Sequence, residues 1–170
     1  MALNAYLKLA GAVHGQIKGG SIQKGREQQI VVIGYNHEII SPRDAATGQA
    51  TGKRQHLPLT IIKEIDKSSP LLLSALATNE KMTDFQLRFY TSGRTSGRVG
   101  ATGAEVNHFT ITLQDATISA IKSIMLNNKV PEFLKRNEYE EISFVYKTIT
   151  WLWTEGNLES SDEWDMYNER

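Results

Sequence analysis

No cysteine occurs anywhere in the 170 residues. Disulfides, thiolate nucleophiles and cysteine-based zinc sites are therefore excluded together. The chain also lacks a charge excess, because nineteen Lys plus Arg offset nineteen Asp plus Glu. No net field draws it to nucleic acid or to an anionic membrane, and charge can act only locally. No stretch approaches the roughly 20 apolar residues of a membrane-spanning helix. The opening MALNAYLKLAGAVHG carries small residues at Ala10, Gly11 and Ala12, but no basic segment precedes them, and Asn4 and Lys8 interrupt its apolar run. It reads as a strand and not as a signal peptide. These absences describe a soluble chain made in the cytoplasm without a conventional export signal, with no nucleic-acid partner and no membrane insertion. Its length suits one domain, residues 1–170, with a single core.

Catalytic and cofactor motifs are missing as well. GQATGKR approaches a phosphate-binding loop, yet Thr47 stands where its first glycine belongs, and Arg54 replaces the magnesium-holding Ser or Thr. His37 and Glu38 begin an HExxH pattern that Ser41 breaks, and His14, His56 and His108 have no metal-ligand spacing. In GRTSG the nucleophile position of a GxSxG elbow is Thr95. The tandem repeat TSGRTSGR sets Gly93 and Gly97 beside Arg94 and Arg98, a composition that fits a flexible hairpin loop better than an anion-holding nest. The reading is of a protein that is not an enzyme and holds no metal or cofactor.

What is present is alternation. Leu3, Ala5, Leu7 and Leu9 alternate with polar residues, as expected of a half-buried strand. QIVVIGYNH (29–37) and LPLTIIKEI (57–65) are strands by their β-branched content. DFQLRFYT places Phe85, Leu87 and Phe89 on one face, VNHFTITL does the same with Phe109, Ile111 and Leu113, and the two are expected to pair. DATISAI is assigned to a strand, although Ile118, Ile121, Ile124 and Met125 also fit a helical period. EEISFVYKTITWLW (140–153) is expected to be one long final strand, with Phe144 and Tyr146 on one face and Val145, Ile149, Trp151 and Trp153 on the other. One helix interrupts the series: Ser69 is its expected N-cap, Pro70 its first residue, and Leu72, Leu73, Leu76 and Ala77 its docking side.

Between these strands lies SPRDAATGQATGKRQH (41–56), sixteen residues without a large apolar side chain. It is too long for a turn and too polar to enter a core, so it is expected to touch something else. Charge is segregated along the chain. Arg43, Lys53 and Arg54 sit in this segment and Arg94 and Arg98 in the other glycine-rich loop, whereas residues 154–170 carry Glu155, Glu159, Asp162, Glu163, Asp165 and Glu169 against Arg170 alone. Such runs are either solvated faces or complementary surfaces between copies of the chain.

Four stretches, in order and spanning nearly the whole chain, resemble the Hcp family, the haemolysin-coregulated tube proteins of bacterial type VI secretion. ITWLWTEGNLESSDEW resembles the family's C-terminal signature, IDKSSPLLLSAL its helix, HGQIKGGS its early glycine turn and YNHEIISPRDAATGQATGKRQH its extended loop. The stretch from Gly19 to Glu27 departs, being shorter than in some relatives. The resemblance implies a mainly β protein: a two-sheet β-barrel with one short flanking helix and an extended loop. It further implies a homo-hexameric ring, rings stacked into a tube, propulsion by a contractile sheath, a spike protein at the tip and small effectors in the lumen, in the service of virulence and bacterial competition. Under it, Arg43, Asp44, Lys53 and Arg54 become ring-stacking candidates, and Trp151, Trp153 and Tyr146 become subunit-interface or core candidates. The competing readings are a carrier with an appended toxin, for which 170 residues leave no room, and a monomeric β-barrel that binds a small ligand.

Overall fold

Alternation of apolar and polar side chains builds thirteen strands among the residues that this computed structural model describes, 3–92 and 105–164. In chain order they are Ala5–Gly11 (β1), Gly15–Ile17 (β2), Ile30–Val32 (β3), Gly34–Asn36 (β4), Ile39–Ile40 (β5), Gln55–His56 (β6) and Leu59–Glu64 (β7), followed by the helix Ser69–Ala77 (α1). Lys81–Ser92 (β8), Glu105–Gln114 (β9), Ala116–Ile124 (β10), Tyr139–Val145 (β11), Thr148–Trp153 (β12) and Leu158–Glu163 (β13) complete the series. Residues 93–98 of the TSGRTSGR repeat, Arg94 and Arg98 among them, and the terminal Asp165, Glu169 and Arg170 lie outside the described residues.

Eleven strands form one antiparallel sheet that curls until its two halves face each other. One path runs β13-β12-β9-β8-β10-β11-β7-β4, and β1 lies on the other side of β8. The expected single strand over 29–37 is split at Ile33: β3 pairs with β1, whereas β4 pairs with β7. This segment bridges the two ends of the curl and closes it as a barrel. Phe85 of β8 meets Phe144 of β11 edge-to-face, ring centroids 4.9 Å apart, in the enclosed interior. Leu7, Leu9, Leu59, Ile61, Leu87, Ile111, Ile142 and Ile149 fill the space around them.

The expected long strand over 140–153 is also divided. Even-numbered residues face inward through Ile142, Phe144 and Tyr146, but from Ile149 onward the inward phase is odd. The slip falls at Lys147, whose N–H bonds to Gln114 O at 3.1 Å. A matching slip occurs beside it at Asp115, in left-handed conformation with φ 50°, between the inward Leu113 and Ala116. On one side of this crossing β10 pairs with β11, and on the other β9 pairs with β12. A one-residue slip exchanges the faces of a strand, and here it keeps the apolar set inside on both sides of the crossing. Nor is β12 final, since β13 adds to its free edge from Thr148↔Glu163 to Trp153↔Leu158.

The helix is capped differently from expectation. Ser68, not Ser69, precedes it, and Asp66 holds the approach by accepting from Ser68 N at 2.9 Å. Leu72 and Ala75 are buried with Leu71 and Leu76 beside them, whereas Leu73, expected inward, is 47% exposed. Beneath the helix start Lys63 is fully buried; its ammonium reaches Glu64 O at 2.8 Å, Ser69 Oγ at 3.1 Å, Asp66 at 3.1 Å and Glu140 at 3.5 Å.

The stretch after Gly19 folds back tightly. Gly19 N donates to Gln28 O at 2.8 Å, and Arg26 lies buried between the Tyr6 and Tyr90 rings, 4.6 and 4.0 Å from their centroids, while pairing with Glu105 at 2.5 Å. A Cβ on Gly19 would sit 2.4 Å from Ile30 Cα and 2.5 Å from Gln29 O, both backbone atoms. Gly19→Ala is therefore expected to cost about 1–3 kcal/mol through forced backbone displacement. A lower denaturant midpoint at unchanged m-value checks this; an unchanged midpoint would show that the turn yields freely.

Candidate functional site

The polar segment is an ordered arm. Between β4 and β7 the chain leaves the barrel as a narrow hairpin, its root paired through Ile39↔His56 and Ile40↔Gln55 and closed by Leu57 N to Glu38 O at 3.0 Å. Higher up, Arg43 and Ala50 form an isolated bridge and Thr51 N donates to Pro42 O at 3.0 Å. Asp44 organises the tip: its carboxylate accepts from Ala46 N at 2.9 Å and from Thr47 N at 2.7 Å, and Thr47 Oγ1 donates to it at 2.9 Å. Those donors, Thr47 first, hold the Asp44 carboxyl below its ordinary pKa. Gly48 turns the chain with φ 70°, and Arg43 Nη1 donates to its carbonyl at 3.3 Å.

A two-stranded hairpin with no core of its own is marginal in water, so its root has to be held. A chain of polar side chains does this. His37 Nε2 lies 2.7 Å from Tyr146 Oη, and that hydroxyl lies 2.8 Å from His56 Nδ1. His56 Nε2 lies 2.7 Å from Asp162 of β13, and Asp162 is clasped by the Arg54 guanidinium, which also donates to Glu163 O at 2.8 Å. His56 and Tyr146 are only 2% and 6% exposed, so every partner matters. The Trp164 ring lies over His56, centroids 5.8 Å apart.

With both imidazoles neutral, one arrangement satisfies every bond. His56 Nε2–H donates to Asp162, so its Nδ1 accepts from Tyr146 O–H, and the Tyr146 oxygen accepts from His37 Nε2–H. The hydrogen bond from Arg54 leads in holding the Asp162 carboxyl below its ordinary pKa. Burial leads in raising the Tyr146 phenol and in lowering the His37 imidazole, and His56 depresses His37 further. The signs fix two pH windows. A depressed His37 costs stability as pH falls below about 6.5, where the unfolded chain takes up that proton first. A depressed Asp162 contributes stability above about pH 3.9, lost as pH falls through its folded value.

The sequence candidates divide accordingly. Arg54 and Tyr146 meet in the root network; Asp44 and Arg43 build the tip; Lys53 lines a cleft between arm and Trp164 together with Pro42, Gly52 and Gln55. Trp151 packs against the core and Trp153, at the far end of β12, is 42% exposed, its ring 5.6 Å from that of His108. Asp162 and Glu163 of the acidic C-terminal run pair within the chain, Glu163 with Lys147 at 3.1 Å. Sequence reasoning weighs His37 and His56 only as metal-motif residues and Asp162 only as part of an acidic run; it misses their meeting, because the three come from distant stretches that match no catalytic or metal spacing. Among the described residues no group of three or more His, Asp or Glu forms a metal-binding cluster, and no helix is long and apolar enough to cross a membrane.

Residues 6–153 match the family described as "Type VI secretion system effector, Hcp". The major exported protein of Pseudomonas aeruginosa is 37% identical over 173 residues, covering 96% of both chains. The structure is similar to that of Hcp1 from Escherichia coli EAEC 042, with TM-score 0.80 and 30% identity over 95% of this chain and 99% of that one. It is similar also to the secreted protein Hcp3 of Pseudomonas aeruginosa, with TM-score 0.74 and 30% identity over 98% of this chain and all of the other.

Proposed function

Since the chain belongs to the Hcp family and is a secreted structural subunit of the type VI secretion tube, not an enzyme, we propose that its copies close into a hexameric ring and that the arm joins one ring to the next. The observation that carries this is the arm itself: ordered, polar to its tip, and anchored at a buried root. A segment held so firmly and burying so little of itself is suited to contact with another molecule. Within a ring, the stripe from Ile149 through Trp151 to Trp153 runs from the sealed core to an exposed indole and supplies apolar area for a neighbouring subunit. Assembly takes place in the cytoplasm; a contractile sheath expels the tube, a spike protein caps it, and small effector proteins ride in its lumen, held by weak contacts repeated six-fold.

Native mass spectrometry combined with electron microscopy tests this. The ring should show six times the chain mass at micromolar concentration and keep it as salt rises from about 0.1 to 1 M, which shortens the screening length from about 10 to 3 Å. Tubes, joined by polar tips whose ion pairs contribute about 0–1 kcal/mol each, should shorten over the same range. A monomer at low salt contradicts the proposal and favours the ligand-binding barrel. Effector abundance unchanged on deleting the protein contradicts the carrier role.

A further inference from the structure

We infer that the polar chain at the arm's root is a proton-counting latch, which accommodates one added proton without losing a hydrogen bond and releases the arm on the second. The inference rests on the reading of the arm as the element that joins rings.

Tyr146 is the pivot. Its hydroxyl carries one hydrogen and stands between two imidazoles, His37 Nε2 at 2.7 Å and His56 Nδ1 at 2.8 Å. A proton added at His56 turns Nδ1 into a donor. The tyrosine then reverses, accepting from His56 and donating to His37, which must be neutral with its hydrogen on Nδ1. A proton added at His37 instead leaves the original direction intact. Each singly protonated state therefore keeps all its bonds, and Asp162, 2.7 Å from His56 Nε2, steadies the charge. Two protons cannot be accommodated in this way. Both imidazoles would then donate into the Tyr146 oxygen, its own O–H would have no acceptor in the chain, and two cations would share a site with ring centroids 6.5 Å apart. Separating the arm from the body lets water solvate both rings.

The surrounding groups do not absorb that second charge elsewhere. The titratable groups around the pair are Tyr146 and Asp162, which bond the two rings, Arg54 of the arm, which holds Asp162, and Tyr35 of β4, which acts on Tyr146; Lys147 and Glu163 pair with each other next to them. Arg54 already occupies Asp162, and Lys147 pairs with Glu163. Of these side-chain types, only the imidazoles ordinarily change charge between pH 5 and 8. Burial depresses His37 further, which places the releasing proton below the usual histidine range. Because the two sites are coupled through one hydroxyl, release belongs to the pair. The functional consequence is a tube that holds at neutral pH and comes apart into rings in acid.

The absence of cysteine from the chain allows clean labelling. Nitroxides on Thr47→Cys at the tip and Lys122→Cys on the barrel wall, in rings diluted with unlabelled subunits, report the arm's position; turbidity and microscopy report tubes. For the native root we expect one sharp distance at about pH 7.5 and a broad distribution near about pH 5, with tubes reduced to rings over the same interval. His37→Gln keeps an N–H for Tyr146 but takes no proton, and should move the transition down by about one pH unit or more. Tyr146→Phe severs the chain and should broaden the distance already at about pH 7.5. The latch is overturned if the native distance stays sharp in acid, if His37→Gln opens at the native pH, or if Tyr146→Phe behaves as the native chain. If the arm opens as described while tubes keep their length, the latch stands and the stacking role of the arm falls.

Discussion

Replacing the arm's tip, residues 43–50, with an Asn-Gly turn should leave rings intact and abolish both tubes and export. Pro42 and Thr51 are already joined by a backbone hydrogen bond of 3.0 Å, and Asn-Gly closes a two-residue hairpin between such partners with little strain. The root chain through His56, Tyr146 and Asp162 is untouched, as is the barrel, so nothing that folds the subunit is lost. What is lost is the outermost part of the arm, including Arg43, Asp44 and Gly48. Each contact made there is weak, about 0–1 kcal/mol for an exposed ion pair, but six arms in one ring act together, and removing all of them removes the avidity. Arg43→Ser with Lys53→Ser should weaken tubes in the same direction while leaving Arg54 on Asp162. Rings that dissociate would place the arm within the ring interface; tubes and export at native levels would make it a passive surface loop.

The second large effect is expected in the wall of the barrel. Lys63→Met should destabilise the subunit by about 3–5 kcal/mol, because it leaves Glu140 as a buried carboxylate without its cation. Glu140 is 1% exposed and its Oε2 has no hydrogen-bond partner even in the native chain. The lysine also ties the start of α1 to β7 through Ser69 Oγ and Asp66. Adding Glu140→Leu removes the stranded charge and should recover most of the loss, while Asp66 retains its bonds to Ser68. Chemical denaturation of both variants decides the matter. A single variant within about 0.5 kcal/mol of the native chain would show that Glu140 is solvated or protonated in the fold.

Much of this architecture is legible in the sequence, because period-2 alternation directly reports which face of a strand is wet. Strands β1, β7, β8 and β9 follow from it, as does the pairing of β8 with β9; β10 follows from β propensity, since its apolar residues also fit a helical period, and the Hcp motifs assign the family. The misreadings share a physical origin. At Ile33, Asp115 and Lys147 the chain changes partners, and the alternation pauses or slips by one residue while remaining β-prone on both sides. A run such as EEISFVYKTITWLW therefore looks continuous although it occupies two places in the sheet. The slip is visible in retrospect as inward Tyr146 followed by inward Ile149. Strand β13 is hidden for a different reason: LESSDE has almost no apolar content and forms because β12 offers it an open edge. The root network is the least legible feature. His37, His56, Tyr146 and Asp162 come from stretches spread between positions 37 and 162, and only the closure of the barrel brings them together. Composition does point to the arm, through its lack of apolar residues, but not to its order, which comes from Asp44 and from backbone pairing.

Electron cryomicroscopy of assembled tubes tests most directly the claim that this subunit builds a tube through its arm. The account predicts six-fold rings in which the hairpin 39–56 keeps the conformation described and its tip, with Arg43 and Asp44, lies against the adjacent ring, while Trp153 is covered by a neighbour in the same ring. Tubes whose arms lie along their own barrel or reach only a neighbour within the ring, with the ring-to-ring contact made elsewhere, would contradict it.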